Sequence, residues 1–148
     1  MARKTFAALE IPLNCCASGT GPCHLSVTDC FERGLKTRRL KPFSTVGPRI
    51  SSNDGLWASF SLEASEGRVT ALAFECVSCT TLIACCQALV DLGGGGTVRA
   101  ALHFTQATIL DRLAGIPVYK RDRATLAVDA LRAALMVMDR ERSVEGAA

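Results

Sequence analysis

The chain has 148 residues, 49% of them hydrophobic and 21% charged, and a formal net charge of +3. That size carries one domain with a real core, and so small a positive balance does not by itself mark a nucleic-acid binder. The apolar run 82–86 is cut by Gln87 and Asp91, and the opening "MARKTFAALEIP" is interrupted by Glu10, so neither a membrane span nor a signal peptide is read.

A reducing, cytoplasmic setting is therefore expected, in which the eight cysteines are thiols or ligands rather than disulfides. Residues 1–24 show no clean period. Their stretch "CCASGTGPCH" is rich in turn formers and reads as a flexible, cysteine-containing arm. Residues 25–142 read as the folded domain and 143–148 as a tail. The segment "LSVTDCFERGL" predicts a short helix with Ser26 as N-cap and Gly34 as its stop. Arg33, Lys36, Arg38, Arg39 and Lys41 form a basic run that reads as a solvated surface, or as a dock for an acidic partner.

A strand over 44–52 tolerates Pro48 only at a sheet edge. The next stretch alternates, with Leu56, Ala58, Phe60 and Leu62 on one face and Trp57, Ser59, Ser61 and Glu63 on the other. With the turn "ASEGR" and the strand 67–77 it makes a hairpin. After residue 79 only helices are expected: a mostly apolar one over 80–92, ended by "GGGG", then short ones capped by Thr97 and Thr105, the second ending near Gly115. A long amphipathic helix over 123–142 closes the chain. The fold class is α+β, a three-stranded antiparallel sheet with helices packed on one face.

Four cysteines lie in "FECVSCTTLIACC". Cys79 stands where a strand passes into a helix. The helix dipole and the unpaired N–H groups there favour a thiolate, so Cys79 is the leading reactive thiol. Cys76 completes a Cys-x-x-Cys spacing that suits one metal or a dithiol pair. Cys85 and Cys86 read as small apolar fillers of the helix. Cys15, Cys16, Cys23, His24 and Cys30 hold donors suited to zinc or a cluster, though without a standard spacing. No serine–histidine–acid set and no phosphate loop is found, and no catalytic residue is assigned.

The stretch Phe74, Cys79, Thr80-Thr81, Ile83-Ala84 resembles the U-type iron–sulfur cluster scaffolds, the IscU and NifU N-terminal family. The similarity continues through "TVRAALHFTQATILDRLAGIPV" and "DALRAAL", and upstream through "EGRV" and "VTDCFERG". The family offers three cysteines and an aspartate at one end of the molecule. A one-residue shift of the ungapped register, which returns Leu56, Phe60 and Leu62 to the core, carries these positions to Ser52, Asp54, Cys79 and Arg123. Serine is a poor substitute for thiolate on iron or zinc, and arginine cannot ligate. The resemblance thus implies Cys79 and Asp54 as ligands, with Cys76 as a possible recruit. In the family's chaperone-recognition stretch this chain has "GIPVYK", with Pro117-Val118 kept and the preceding proline absent.

As function, the resemblance implies a divergent scaffold or carrier that accepts sulfur or iron at Cys79, not an enzyme with turnover. Its cargo would be a 2Fe-2S cluster or a single iron or zinc ion. Its partners would be a cysteine desulfurase and recipient apo-proteins, with no membrane or nucleic acid, in a homo-oligomer or a larger complex. Two alternatives stand beside it. One is a metal-free scaffold-fold subunit or adaptor. The other is a thiol–disulfide oxidoreductase using Cys76 and Cys79.

Overall fold

The computed structural model describes residues 25–147, with side chains through residue 143. The cysteine-bearing arm, including Cys15, Cys16, Cys23 and His24, lies outside the described residues.

The sheet is built around a nine-residue hairpin pair, β4 (Trp57–Ser65) and β5 (Arg68–Cys76). Its turn places Glu66 at φ 54° and Gly67 at φ 78°, the left-handed values that a tight hairpin turn demands. The two strands pair antiparallel with Phe60 opposite Phe74 and Ala58 opposite Cys76. The expected strand over 44–52 is present as two short pieces, β2 (Thr45–Val46) and β3 (Ile50–Ser51), both antiparallel to β4. The break falls at Gly47-Pro48. Proline has no N–H for the ladder, and a Cβ on Gly47 would stand 2.7 Å from Ala134, so the strand must bend here under the last helix.

The expected core face is the buried one. Ala58, Phe60 and Leu62 are enclosed, and Leu72 and Phe74 join Leu82, Leu89 and Leu131 in one hydrophobic cluster. The opposite face is covered in part by the segment before β2, where the Phe43 N–H donates to Ser61 Oγ at 3.0 Å.

Four helices stand close to their expected places. They are α1 (Val27–Thr37), α2 (Thr80–Gly93), α3 (Val98–Leu102) and α4 (Gln106–Arg112). Ser26 caps α1 by accepting from the Asp29 N–H, and Thr97 caps α3 by accepting from the Ala100 N–H. The last helix, α5 (Asp122–Ala147), runs past residue 142, where the sequence reading ends it.

Three expectations need correction. Gly34 does not stop α1; it lies inside the helix at its contact with α2, where a Cβ would come 2.6 Å from Ile83 Cγ2. Glycine is used there for close helix packing rather than for termination. Arg33 is not a solvated member of the basic run. It makes a two-pronged ion pair with Asp91 of α2, 2.8 Å on each arm, and Gln87 donates to the same carboxylate. Finally, a strand does follow residue 80. Leu113–Ala114 forms β6, a two-residue parallel pairing with β1 (Leu25–Ser26). Two residues show no period, so only the tertiary packing that brings α1 beside α4 creates this pair.

Candidate functional site

Cys79 is the N-cap of α2, with extended backbone (φ −133°, ψ 118°). Its carbonyl accepts from the Ile83 N–H at 2.9 Å, while its side chain makes no capping bond. A serine or aspartate would normally occupy such a position to bond the orphan N–H groups. Here the cap is a half-buried thiol on the rim of the core.

Arg123, the second residue of α5, brings its guanidinium beside that sulfur. The Asp122 carboxylate, 2.7 Å away, orients it and raises its pKa above the usual arginine range, and the Cys79 sulfur adds to the rise. The α2 and α5 N-termini therefore meet at one corner. It combines an accessible thiol, a permanent cation and the positive ends of two helices.

Asp54 lies in the exposed tip that joins β3 to β4, where the Gly55 N–H donates to the Ser52 carbonyl and Gly55 sits at φ 84°. This tip is at the same end of the sheet as Cys79, because Ala58 pairs with Cys76 and the Val77 N–H donates to the Trp57 carbonyl. Ser52 Oγ is enclosed and has no hydrogen-bond partner.

Cys76 points the other way, into the core. It is 3% exposed and sits beside Cys86. Cys86, fully enclosed, is pushed well above the ordinary thiol range by burial and keeps the proton of the pair, which lowers Cys76 beside it. Burial likewise pushes Cys85 up to about 12. Cys30 belongs to this interior group rather than to the arm. It is fully buried on α1, and burial pushes its thiol up to about 11.

Among the described residues, no three histidine, cysteine, aspartate or glutamate side chains stand close enough together to hold a metal ion. A stable closed site needs about four ligands of suitable softness. Cys79, Asp54 and Cys76 do not supply them as a set. The donors among the described residues of one chain do not fit an iron–sulfur cluster.

A cavity of about 880 Å³ lies at the far end of the sheet between Glu63, Thr70 and Arg140. It has no reactive group of the Cys79 corner. Sequence reading does not single out Arg49, whose Cζ lies 3.7 Å from the centre of the Trp57 ring. No local pattern marks that pair, since the two residues meet only across the β3–β4 turn.

Residues 42–144 match the model of the NifU-like N terminal domain. This chain belongs to that family. The matched range covers the sheet, Cys79 and Arg123, and leaves α1 outside. Two curated relatives from Archaeoglobus fulgidus, the iron-sulfur cluster assembly scaffold proteins IscU 1 and IscU 2, are each 24% identical over 110 residues, covering 74% of this chain and 72% of the relative. A crystal structure of a hypothetical protein superposes with a TM-score of 0.50 at 18% identity, over 74% of this chain and 98% of that one. A NifU-like N-terminal protein from Brucella abortus gives 0.48 at 19% identity, over 77% and 98%. The superposition with the hypothetical protein shows this α+β architecture in a solved structure. No helix among the described residues is long and apolar enough to cross a membrane.

Proposed function

We propose that this family member works in iron–sulfur cluster assembly as a carrier of sulfur on Cys79, without turnover of its own. The observation that carries the reading is the corner where Cys79 caps α2 and Arg123 opens α5, with Arg123 at the position where the resemblance expects a further cysteine. A guanidinium there offers donors to a sulfur carrying negative charge during transfer, and it cannot itself ligate a metal.

The step balances without an external oxidant or reductant. The Cys79 sulfur attacks the terminal sulfur of a donor persulfide, as a cysteine desulfurase would supply. The donor's S–S bond breaks, a Cys79 persulfide forms, and the donor cysteine leaves as a thiol carrying the proton. Arg123 faces the negative charge that sulfur carries during the transfer. Asp54, on the neighbouring turn, is an oxygen donor for iron if a recipient apo-protein or a second subunit completes the ligand set. Cys76, engaged with Cys86, takes no part in this corner.

Loading with a persulfide donor under anaerobic conditions, read by intact mass, tests the proposal. A gain of one sulfur atom that disappears in Cys79→Ala is expected, with Cys76→Ala loading as wild type. Loading that survives Cys79→Ala places the acceptor elsewhere. Anaerobic reconstitution of the double variant Ser52→Cys, Arg123→Cys should raise bound iron and sulfide above wild type, because a poor donor and a non-donor become thiolates.

A metal-free scaffold-fold subunit or adaptor is the second reading, favoured by the absence of a three-donor group among the described residues. If the wild type takes up no sulfur and the restored variant binds no iron, that reading replaces the first.

A further inference from the structure

On the side of the sheet end next to Cys79, a cavity of about 500 Å³ opens between the C-terminal end of α1 and the ends of β4 and β5. Its walls carry Arg38, Arg39, Arg49, Trp57, Glu75 and Ser78. Three guanidinium groups thus face one space with a single carboxylate. Among the described residues, none of the three arginines pairs with a carboxylate within ion-pair distance, whereas Arg33, one turn earlier on α1, does. Two of them are held in place by other means. Arg38 donates to Ser78 Oγ at 3.4 Å, and Arg49 lies over the Trp57 ring. Such anchoring orients the guanidinium forks at low entropic cost, as recognition of carboxylates requires.

We propose that this cavity docks an acidic peptide segment of a protein partner. Its chemistry selects that occupant. Small-molecule pockets are mostly apolar, whereas here three guanidiniums, a carboxylate and a hydroxyl stand beside Leu35, Trp57 and the edge of Cys76. The face of Trp57 that a nucleotide base would stack on is already shared with Arg49. Glu75 in the wall repels a compact dianion such as phosphate, but accepts a peptide N–H between two spaced carboxylates. Ser78 directly precedes Cys79, so a partner held here is anchored next to the reactive corner. The docking itself does not depend on what Cys79 carries.

Trp57 is the only tryptophan of the chain, so its emission reports occupancy. The full chain is titrated with a capped peptide of alternating glutamate and serine. A saturable change in emission that weakens with added salt is expected. Arg39→Glu and Arg49→Glu should each weaken binding by about tenfold or more, since a reversed charge repels as well as fails to attract. Arg99→Glu makes the same change in net charge on exposed α3 and should leave binding within about twofold of wild type. No saturable response overturns the proposal, as does equal weakening by Arg99→Glu. Displacement of the peptide by inorganic phosphate or a single-stranded oligonucleotide at matched charge also overturns it, and makes the cavity a general anion site.

Discussion

Cys79 and Cys86 sit at the start and in the middle of the same helix, and they could hardly differ more in setting. Cys79 caps α2 with its sulfur half-buried beside a guanidinium. Cys86 is fully enclosed in the hydrophobic core, with the Cys76 thiol as its side-chain hydrogen-bond partner. A thiol is small and apolar enough to fill a core and, when ionised, nucleophilic enough to do chemistry. Which of the two it does is decided by water, dipole and charge at its position, not by the residue type.

The widest expected gap between the two is in reactivity. A buried thiol alkylates only through an opening of the fold. With a stability of about 5 kcal/mol, that slows it by about a thousandfold or more relative to an accessible one. Iodoacetamide kinetics with peptide mapping should find Cys79 fastest within residues 70–90, and Cys85 and Cys86 protected until denaturant is added. Equal native-state rates at Cys79 and Cys86 would falsify the division of roles.

Alkaline pH should expose the interior thiols as a group. In the folded chain Cys30 is raised from 9.0 to about 11 and Cys85 from 9.0 to about 12, both by burial. Between those values the unfolded chain has released protons that the folded chain retains. The contribution is fully present below pH 9.0 and is lost as pH rises through about 11 and about 12. The loss is on the order of a few kcal/mol. Urea unfolding across that range should show falling stability, and Cys30→Ala with Cys85→Ala should flatten the slope even though each lowers stability at neutral pH.

Much of this division was legible in the sequence. The period-two run through Ala58, Phe60 and Leu62 fixed the core face of the sheet. The switch to an almost uninterrupted apolar helix after Cys79 marked Cys85 and Cys86 as interior. What stayed hidden depends on contacts between distant segments. Gly34 looks like a helix stop until Ile83 is seen against it. Arg33 looks solvated until Asp91 is found across the α1–α2 contact. Cys30 looks like part of the arm, because its burial depends on α2 packing over α1. Cys76 shares its spacing with Cys79, but the pleat of β5 turns it inward beside Cys86. The cavity of three arginines draws on α1, the β2–β3 connection and the β5–α2 connection, which no single stretch of sequence displays.

A smaller effect sharpens the comparison from the interior side. Cys86→Ser exchanges a weakly polar thiol for a hydroxyl in a site with no water. The cost should be about 1–3 kcal/mol, since the more strongly polar hydroxyl is desolvated where only the Cys76 thiol or a carbonyl already used by the helix can receive its proton. Cys76→Ser should cost less than Cys86→Ser, because Cys76 lies at the cavity wall rather than in the helix interior. Chemical denaturation of the two variants gives the ranking, and the reverse order would mean that the pair is oriented opposite to the account above.

The smallest expected effect lies at the cap itself, and its sign is informative. Cys79 occupies an N-cap without making the side-chain bond such a position rewards. Cys79→Asp supplies an acceptor for the free N–H groups of α2, a negative charge at the positive end of its dipole, and a partner for Arg123. Stability should therefore rise, by about 0.5–1 kcal/mol, while sulfur loading is abolished. Cys79→Ala supplies none of these and should leave stability near wild type or slightly below. The two variants thus separate folding from chemistry at one residue. A natural sequence that keeps the weaker cap keeps the thiol for what it does. If Cys79→Asp is instead destabilising by as much as Cys86→Ser, then Cys79 is a packing residue like the others, and the corner has no claim to be a site.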